Sequence, residues 1–350
     1  MSQIKRLQTI DADTLQSTAY EPVSFVVDTL ISQGLHILAG SPKVGKSWLA
    51  LWLAVTVAKG DPVWGMGVKQ GTTLYLCLED STLRIQNRLF EITEDAPANV
   101  HFSTNSDTLG RGLEEQLRAF LAEHPDTVLV IIDTLQMIRG AGYDNTYAND
   151  YRDLSVLKHI ADTHGIAILL VHHLRKMNDD DPMNMISGTT GLSGATDSNF
   201  VLRKSKRREN TATLYCTGRD IPYRELALEF DGEEHIWKLL SDDCEQTEQP
   251  NERLLFLLSE LLRRQPEISA PAKVLLEKID PAGAEGLPPN SFSHRIRKSV
   301  DALRRNGITV SFRKSNGDRL ICLKRVDGVD DPAAENIVTI GPDNPPCFGV

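Results

Sequence analysis

Residues 40–47 read Gly40-Ser41-Pro42-Lys43-Val44-Gly45-Lys46-Ser47, and this stretch satisfies G-x-x-x-x-G-K-[ST] at every fixed position. A strand-like run, Leu35-His36-Ile37-Leu38-Ala39, precedes it, and the helix-forming run Ser47–Val55 follows. A glycine turn between a strand and a helix is a ready cradle for an anion. Gly40 and Gly45 carry no Cβ, so the backbone can bend tightly and aim its N–H groups inward, and the helix adds the positive end of its dipole. The pattern assigns the β- and γ-phosphates of a nucleotide to Lys46 and a Mg²⁺ ligand to the Ser47 hydroxyl. Ser41, Pro42, Lys43, Val44 and Trp48 complete the binding segment.

Outward from this loop, strand and helix signals alternate from about Phe25 to Leu240. Strands are expected at Leu35–Ala39, Thr73–Leu78, Val128–Asp133 and Ile166–His172, and helices at Ser47–Lys59, Ser81–Ile92, Gly112–His124 and Tyr151–His164. This order predicts an α/β fold of βαβ units with right-handed crossovers. Four further strand signals, Asn199–Ser205, Ala212–Thr217, Leu226–Phe230 and His235–Leu240, lie close together and suggest an antiparallel extension of the sheet. The apolar runs Val128–Ile132 and Ile166–Val171 are too short to cross a bilayer and suit central strands buried on both faces.

Two of these strands end in chemistry. Val128-Leu129-Val130-Ile131-Ile132-Asp133 is an apolar strand closed by a carboxylate that can hold the metal shell. Residue 134 is Thr, so a general base must come from elsewhere. Glu79, at the end of Thr73–Leu78, is the candidate, because the ends of parallel strands converge on the ligand crevice. Asp80 better fits a helix-start carboxylate for Ser81–Ile92. The strand Ile166–Val171 ends in His172-His173. Adjacent strand residues point to opposite faces, so the pair is poorly placed to chelate one ion, whereas one of them can sense a terminal phosphate. The polar stretch Leu174–Gly191 beyond it has the composition of a moving loop that can couple nucleotide state to a ligand.

The motifs Gly40–Ser47, Tyr75-Leu76-Cys77-Leu78-Glu79-Asp80, Val128–Asp133 and Leu169-Leu170-Val171-His172-His173 together resemble the RepA-type branch of the RecA-like AAA_25 ATPases, over about residues 25–240. That family includes plasmid and phage hexameric replicative helicases. The resemblance implies a RecA-like P-loop NTPase core, ATP and Mg²⁺ as ligands, and catalytic roles for Lys46, Glu79, Asp133 and His173. It further implies a homo-oligomeric ring, expected to be a hexamer, with ATP between subunits and an arginine finger donated in trans. Arg219, at a turn after a strand, resembles that finger, and Arg207 and Arg208, in the basic run from Arg203 to Arg208, are the rival choice. The family's Cys-rich primase module and long N-terminal helical collar have no counterpart in this sequence.

From Asn251 the pattern changes. Three helices are expected at Glu252–Arg264, Ala270–Lys278 and Ser291–Arg305, the last with Ser291 as N-cap. Two strands, Ile308–Arg313 and Arg319–Lys324, then flank an Asn316-Gly317 hairpin signal. This is the outline of a C-terminal winged-helix-like domain over 251–325. Residues 1–24 are expected to form an arm, 241–250 a linker and 326–350 a disordered tail. Although the whole chain carries a formal charge of -10, residues 251–325 hold fifteen Lys and Arg against eight Asp and Glu. That local basic footprint marks Arg295, Arg297, Lys298, Arg313, Lys314 and Arg319 as candidate DNA contacts.

Five scattered cysteines without C-x-x-C spacing suit a reducing cytoplasm and offer no zinc site, and no membrane partner is expected. These readings together predict a DNA-dependent Mg²⁺-ATPase and DNA helicase acting in plasmid, phage or mobile-element replication, with single-stranded DNA through the core and duplex DNA at the C-terminal domain. An ATP-switched DNA-binding regulator or initiation factor without helicase activity, and a small-molecule kinase, are the competing readings. The absence of Asn-Lys-x-Asp disfavours a GTPase.

Overall fold

A computed structural model describes residues 9–18, 23–139, 147–174, 181–186, 191–204, 210–243, 250–281, 288–315 and 318–326. In chain order its elements are α1 (Ala12–Ser17), β1 (Phe25–Val27), β2 (Ile31–Ser32), β3 (Gly34–Gly40), α2 (Lys46–Lys59), β4 (Thr72–Cys77), α3 (Thr82–Ile92), β5 (Val100–Ser103), α4 (Leu113–Glu123), β6 (Thr127–Asp133), α5 (Tyr147–His164) and β7 (Ala167–His173). A 3₁₀ turn (Pro182–Met185) follows, then α6 (Gly191–Ala195), β8 (Ser198–Arg203), β9 (Thr211–Gly218), β10 (Arg224–Phe230) and β11 (Trp237–Asp242). The remainder is α7 (Pro250–Arg264), β12 (Glu267–Pro271), α8 (Ala272–Ile279), α9 (Pro289–Lys298), α10 (Val300–Arg305), β13 (Ile308–Ser315) and β14 (Asp318–Arg325). Contacts divide the chain into two units, residues 23–248 and residues 1–22 with 249–350.

In the larger unit, nine strands among the described residues form one sheet in the order β11-β10-β9-β8-β3-β7-β6-β4-β5. The strands from β8 to β5 run parallel, so their C-terminal ends share one edge. The extension is antiparallel only from β9 onward. β8, expected to belong to that extension, pairs parallel with β3, which the crossover after β7 allows. The central strands are apolar without interruption because both faces are covered. Along β3, Leu35, Ile37 and Ala39 enter the core shared with α4 and α5, whereas Leu38 joins the core on the other face, where α2 packs. β6 and β7 divide their side chains in the same way, with Ile131 and Leu169 on the α2 face and Ile132 and Leu170 on the α5 face. α2 is buried along most of its length and ends at Gly60, whose left-handed φ of 79° lets its N–H reach the Thr56 and Val57 carbonyls.

The edge strand β5 and the β1–β2 hairpin carry little apolar alternation, and neither was expected from the sequence. In the smaller unit the sheet order is β12-β14-β13, and a core of Leu258, Leu262, Ile268, Leu275, Phe292, Ile296 and Leu323 joins its helices to it. β12 is a correction, since residues 270–271 were expected to begin a helix. Ile268 and Ala270 are buried between exposed neighbours in a period of two, and the second helix starts only after Pro271. The third expected helix starts at Pro289 after an N-cap at Pro288, not at Ser291, because proline's fixed φ suits a first turn. It also breaks at Ser299, whose φ of -98° and ψ of 8° separate α9 from α10. β13 and β14 pair from Ile308↔Arg325 to Ser315↔Asp318, as a hairpin about residues 316–317 requires.

Several sequence expectations fall outside the described residues: Lys206, Arg207 and Arg208, residues 175–180 and 187–190 of the expected loop, most of the 241–250 linker, Asn316-Gly317 and the tail from 327.

Candidate nucleotide site

The loop between β3 and α2 is shaped by contacts that glycine alone permits. A Cβ on Gly40 would lie 2.8 Å from the Leu202 carbonyl oxygen and 2.9 Å from Val44 Cγ1. Gly45 has a φ of 108°, and a Cβ there would lie 2.9 Å from the Trp237 ring. That ring also donates from Nε1 to the Gly45 carbonyl at 3.2 Å, while Trp64 Nε1 donates to the Trp237 carbonyl at 2.7 Å. Trp237, fully buried on β11, is thus a floor for the loop. It stands 192 residues away in sequence, and no local signal connects it to residues 40–47.

The Lys46 side chain is almost wholly buried, yet its ammonium meets neutral acceptors. It donates to the Gly40 carbonyl at 2.8 Å and the Ser41 carbonyl at 3.1 Å, and His173 Nδ1 lies 3.3 Å away. Burial lowers its pKa to about 8, with partial opposition from the Asp133 and Glu79 charges. A buried cation that donates to two carbonyls and, among the described residues, contacts no carboxylate is prepared for an anion. Ser41, Pro42 and Lys43 are exposed along the loop, and Trp48 is half-buried in the first turn of α2.

The other strand ends bring their groups to the same place. On β6, Asp133 is buried and accepts from the Ser47 hydroxyl and, at 2.8 Å, from the Tyr75 hydroxyl on β4. Burial raises the Asp133 carboxyl above its usual range, and those two donors oppose the rise. Glu79 follows β4, where its Oε1 accepts from the buried Thr134 hydroxyl at 2.9 Å and lies 3.9 Å from His173 Nε2. His173, at the end of β7, therefore stands between Lys46 and Glu79, with Nδ1 toward the first and Nε2 toward the second. A neutral ring that accepts from Lys46 at Nδ1 carries its proton on Nε2, facing the glutamate. Asp80 instead pairs with Arg84 at 2.7 Å and with Arg88, and Ser81 caps α3, in keeping with its reading as a helix-start carboxylate.

Lys46, Ser47, Glu79, Asp133 and His173 are thus brought together at one edge of the sheet. The sequence did not single out Thr134 or Tyr75 as partners. Tyr75 lies on the strand that leads to Glu79, but its proximity to Asp133 depends on the β4–β6 register, Cys77↔Asp133, which lies beyond local pattern.

Arg219 is not part of this cluster. Gly218 pairs with Ser198, and His36 pairs with the same Ser198, so Arg219 sits at the opposite edge, where β3 begins. The seven residues of β3 put about 20 Å between the two edges. Its side chain is 58% exposed and contacts Asp197 and the Gly194 carbonyl. In the smaller unit Arg297, Arg313 and Arg319 are exposed and Arg295 is half-buried, and the Arg297 guanidinium lies 4.7 Å over the Phe312 ring. The side chains of Lys298 and Lys314 lie outside the described residues.

The AAA_25 family model, described as an AAA domain, matches residues 2–179, just over half of the sequence. The chain belongs to the AAA_25 family. The fold of this AAA_25 protein is also that of two solved structures. "ATPase Domain of G40P" matches with a TM-score of 0.50 and 16% identity, covering 60% of this chain and 85% of that one. "The Structure Of A DnaB-Like Replicative Helicase And Its Interactions With Primase" matches with a TM-score of 0.50 and 16% identity, covering 60% of this chain and 58% of that one. No curated protein matches. The larger unit of this AAA_25 chain therefore has a mixed α/β fold with a large parallel-rich central sheet, resembling the fold of these two structures. No helix among its described residues is long and apolar enough to cross a membrane.

The Lys46 environment predicts a proton effect. In the nucleotide-free protein its pKa is depressed from 10.5 to about 8, so the folded state binds fewer protons than the unfolded state between those values. The burden of the buried ammonium, about 3 kcal/mol, is in full force below pH 8 and is relieved as pH rises toward 10.5. A bound polyphosphate favours the charged form. Nucleotide binding at pH 8.5 is therefore expected to take up a proton, and at pH 6.5 to take up none at this residue. Calorimetry in two buffers of different ionisation enthalpy reads this directly, and Lys46→Met is expected to lack the uptake.

Proposed function

We propose that the protein is a Mg²⁺-dependent ATP hydrolase of the RepA-type branch, assembled as a head-to-tail ring, expected to be a hexamer, that translocates on single-stranded DNA in the replication of a plasmid, phage or mobile element. The observation that carries this reading is the convergence of Lys46, Ser47, Glu79, Asp133 and His173 at one sheet edge, with an exposed arginine at the other. The glycine-lined loop and the buried Lys46 ammonium, held by the Gly40 and Ser41 carbonyls, suit a triphosphate. Ser47 and Asp133 suit Mg²⁺, which keeps few protein ligands and takes the rest from phosphate and water. When bound, the ion neutralises charge on the phosphates.

The chain's own residues supply the remainder. Lys46 neutralises the terminal phosphate oxygens. Glu79, oriented by the Thr134 hydroxyl, accepts a proton from the attacking water at a carboxylate oxygen. His173 touches both Lys46 and Glu79 and so suits a sensor that registers phosphate loss. Arg219 is too far from its own loop to serve it, which favours donation to the next subunit in a heterologous ring. The helix, strand and hairpin order of the smaller unit supports a winged-helix domain. There Arg297, held over Phe312, and Arg313 and Arg319 suit duplex DNA, with Arg295, Lys298 and Lys314 as companions. The chemistry suits a cytoplasmic protein.

The basic smaller unit also favours a second reading, an ATP-switched DNA-binding regulator or initiation factor. ATP hydrolysis with and without single-stranded DNA, alongside sizing with a non-hydrolysable nucleotide, separates the two. The motor is expected to show stimulated turnover, displacement of an annealed strand and a nucleotide-stabilised ring, all lost in Lys46→Ala. Duplex binding without stimulation would instead select the switch, and phosphate transfer to an acceptor other than water would select a kinase.

A further inference from the structure

The edge opposite the nucleotide loop holds a second charged constellation. Asp197, buried between α6 and β8, accepts from Lys158 Nζ at 2.8 and 2.6 Å and from the Leu35 N–H at 2.9 Å. Its own N–H donates to the Leu35 carbonyl at 2.7 Å, which locks it to the start of β3. Gly34 makes room for it, because a Cβ there would sit 2.4 Å from Asp197 Oδ2. Arg219 meets the same residue twice. Its backbone N–H donates to the Asp197 carbonyl at 2.8 Å, and Nη1 donates to Oδ1 at 3.3 Å, while Nη2 donates to the Gly194 carbonyl at 3.3 Å.

We propose that Asp197 is a positioning residue for Arg219, fixing both the backbone and the guanidinium so that the exposed part of the fork is presented to the neighbouring subunit's nucleotide. This rests on the reading of Arg219 as a group donated in trans. The geometry goes beyond that reading in three respects. The guanidinium has five N–H donors, and two side-chain contacts leave others to face outward. Lys158 supplies a second cation to the Asp197 carboxylate, so Arg219 is oriented without being its sole counter-charge. The anchor is the strand that ends in Gly40, so the donated group is referenced to the fully buried strand that opens its own subunit's phosphate loop. The same contacts in a purely structural role would staple β8 to β3 and have no effect across a subunit boundary.

The test uses the full-length protein and mixed assemblies. Asp197→Asn is expected to lower ATP turnover by about 10²-fold, the cost of misplacing a reacting group by about 1 Å, with ATP affinity retained. Mixed with Glu79→Gln, the Asp197→Asn protein is expected to regain turnover, because its intact Glu79 then meets a correctly held Arg219 from the partner. Mixed with Arg219→Ala it is expected to gain nothing, since both subunits lack a competent donor. Weakened ATP affinity with no recovery in either mixture would make Asp197 a fold staple and overturn the proposal. Recovery with Arg219→Ala would overturn it too, by separating the two residues' roles. If Arg219→Ala and Glu79→Gln fail to restore each other, the trans reading itself fails and the proposal falls with it. Should the Asn variant not fold, Asp197→Ser, which places no amide against the Leu35 N–H, carries the same comparison.

Discussion

Glu79→Gln is expected to reduce ATP hydrolysis by about 10²–10⁴-fold while leaving nucleotide binding nearly unchanged. The substitution keeps the shape of the side chain and a carbonyl oxygen that can accept from the Thr134 hydroxyl, now 2.9 Å from Oε1. It removes the basicity that accepts a proton from water. The hydrogen bonds that hold the Lys46 ammonium, to the Gly40 and Ser41 carbonyls, do not involve this carboxylate. The loss is therefore expected in turnover, measured as phosphate release, and not in the dissociation constant of a fluorescent ATP analogue. Turnover equal to that of the parent would remove Glu79 from the mechanism. A parallel loss of binding would mean that Glu79 acts by shaping the pocket through His173, which lies 3.9 Å away.

What could be read from the chain follows the range of the interactions. Gly40–Ser47 is a contiguous motif, and the strands that carry Glu79, Asp133 and His173 announce themselves because sheets covered on both faces need uninterrupted apolar runs. Their convergence was legible as well, since parallel strands after a phosphate loop share one edge. Residues that act across the sheet were not. Tyr75 reaches Asp133 only through the β4–β6 register, and Trp237 reaches Gly45 only because the antiparallel extension folds its last strand beneath the loop. β12 was missed for a different reason. Its alternation, Ile268 and Ala270 inside with Glu267 and Ser269 outside, spans too few residues to outweigh the helical pattern that adjoins it. The break at Ser299 likewise lies within a helical period that continues on both sides.

Arg219→Ala is expected to lower turnover by about 10³–10⁵-fold, the range associated with removing an arginine that stabilises charge on a transferring phosphoryl group. The size of the loss alone would not locate the residue, since disturbing Asp197 at the head of β3 could also damage the site. Location comes from complementation. An Arg219→Ala subunit retains its own Glu79, and a Glu79→Gln subunit retains its Arg219, so each is nearly inactive alone. In random one-to-one rings about a quarter of the interfaces would pair an intact Glu79 with an intact Arg219, and turnover is expected to recover toward that fraction. Such recovery requires the two residues to meet across a subunit boundary, because no single chain in the mixture possesses both. An arginine serving its own chain's nucleotide would give no recovery at any ratio. The position of Arg219 at the edge where β3 begins, opposite the edge where Gly40 opens the phosphate loop, favours the first result.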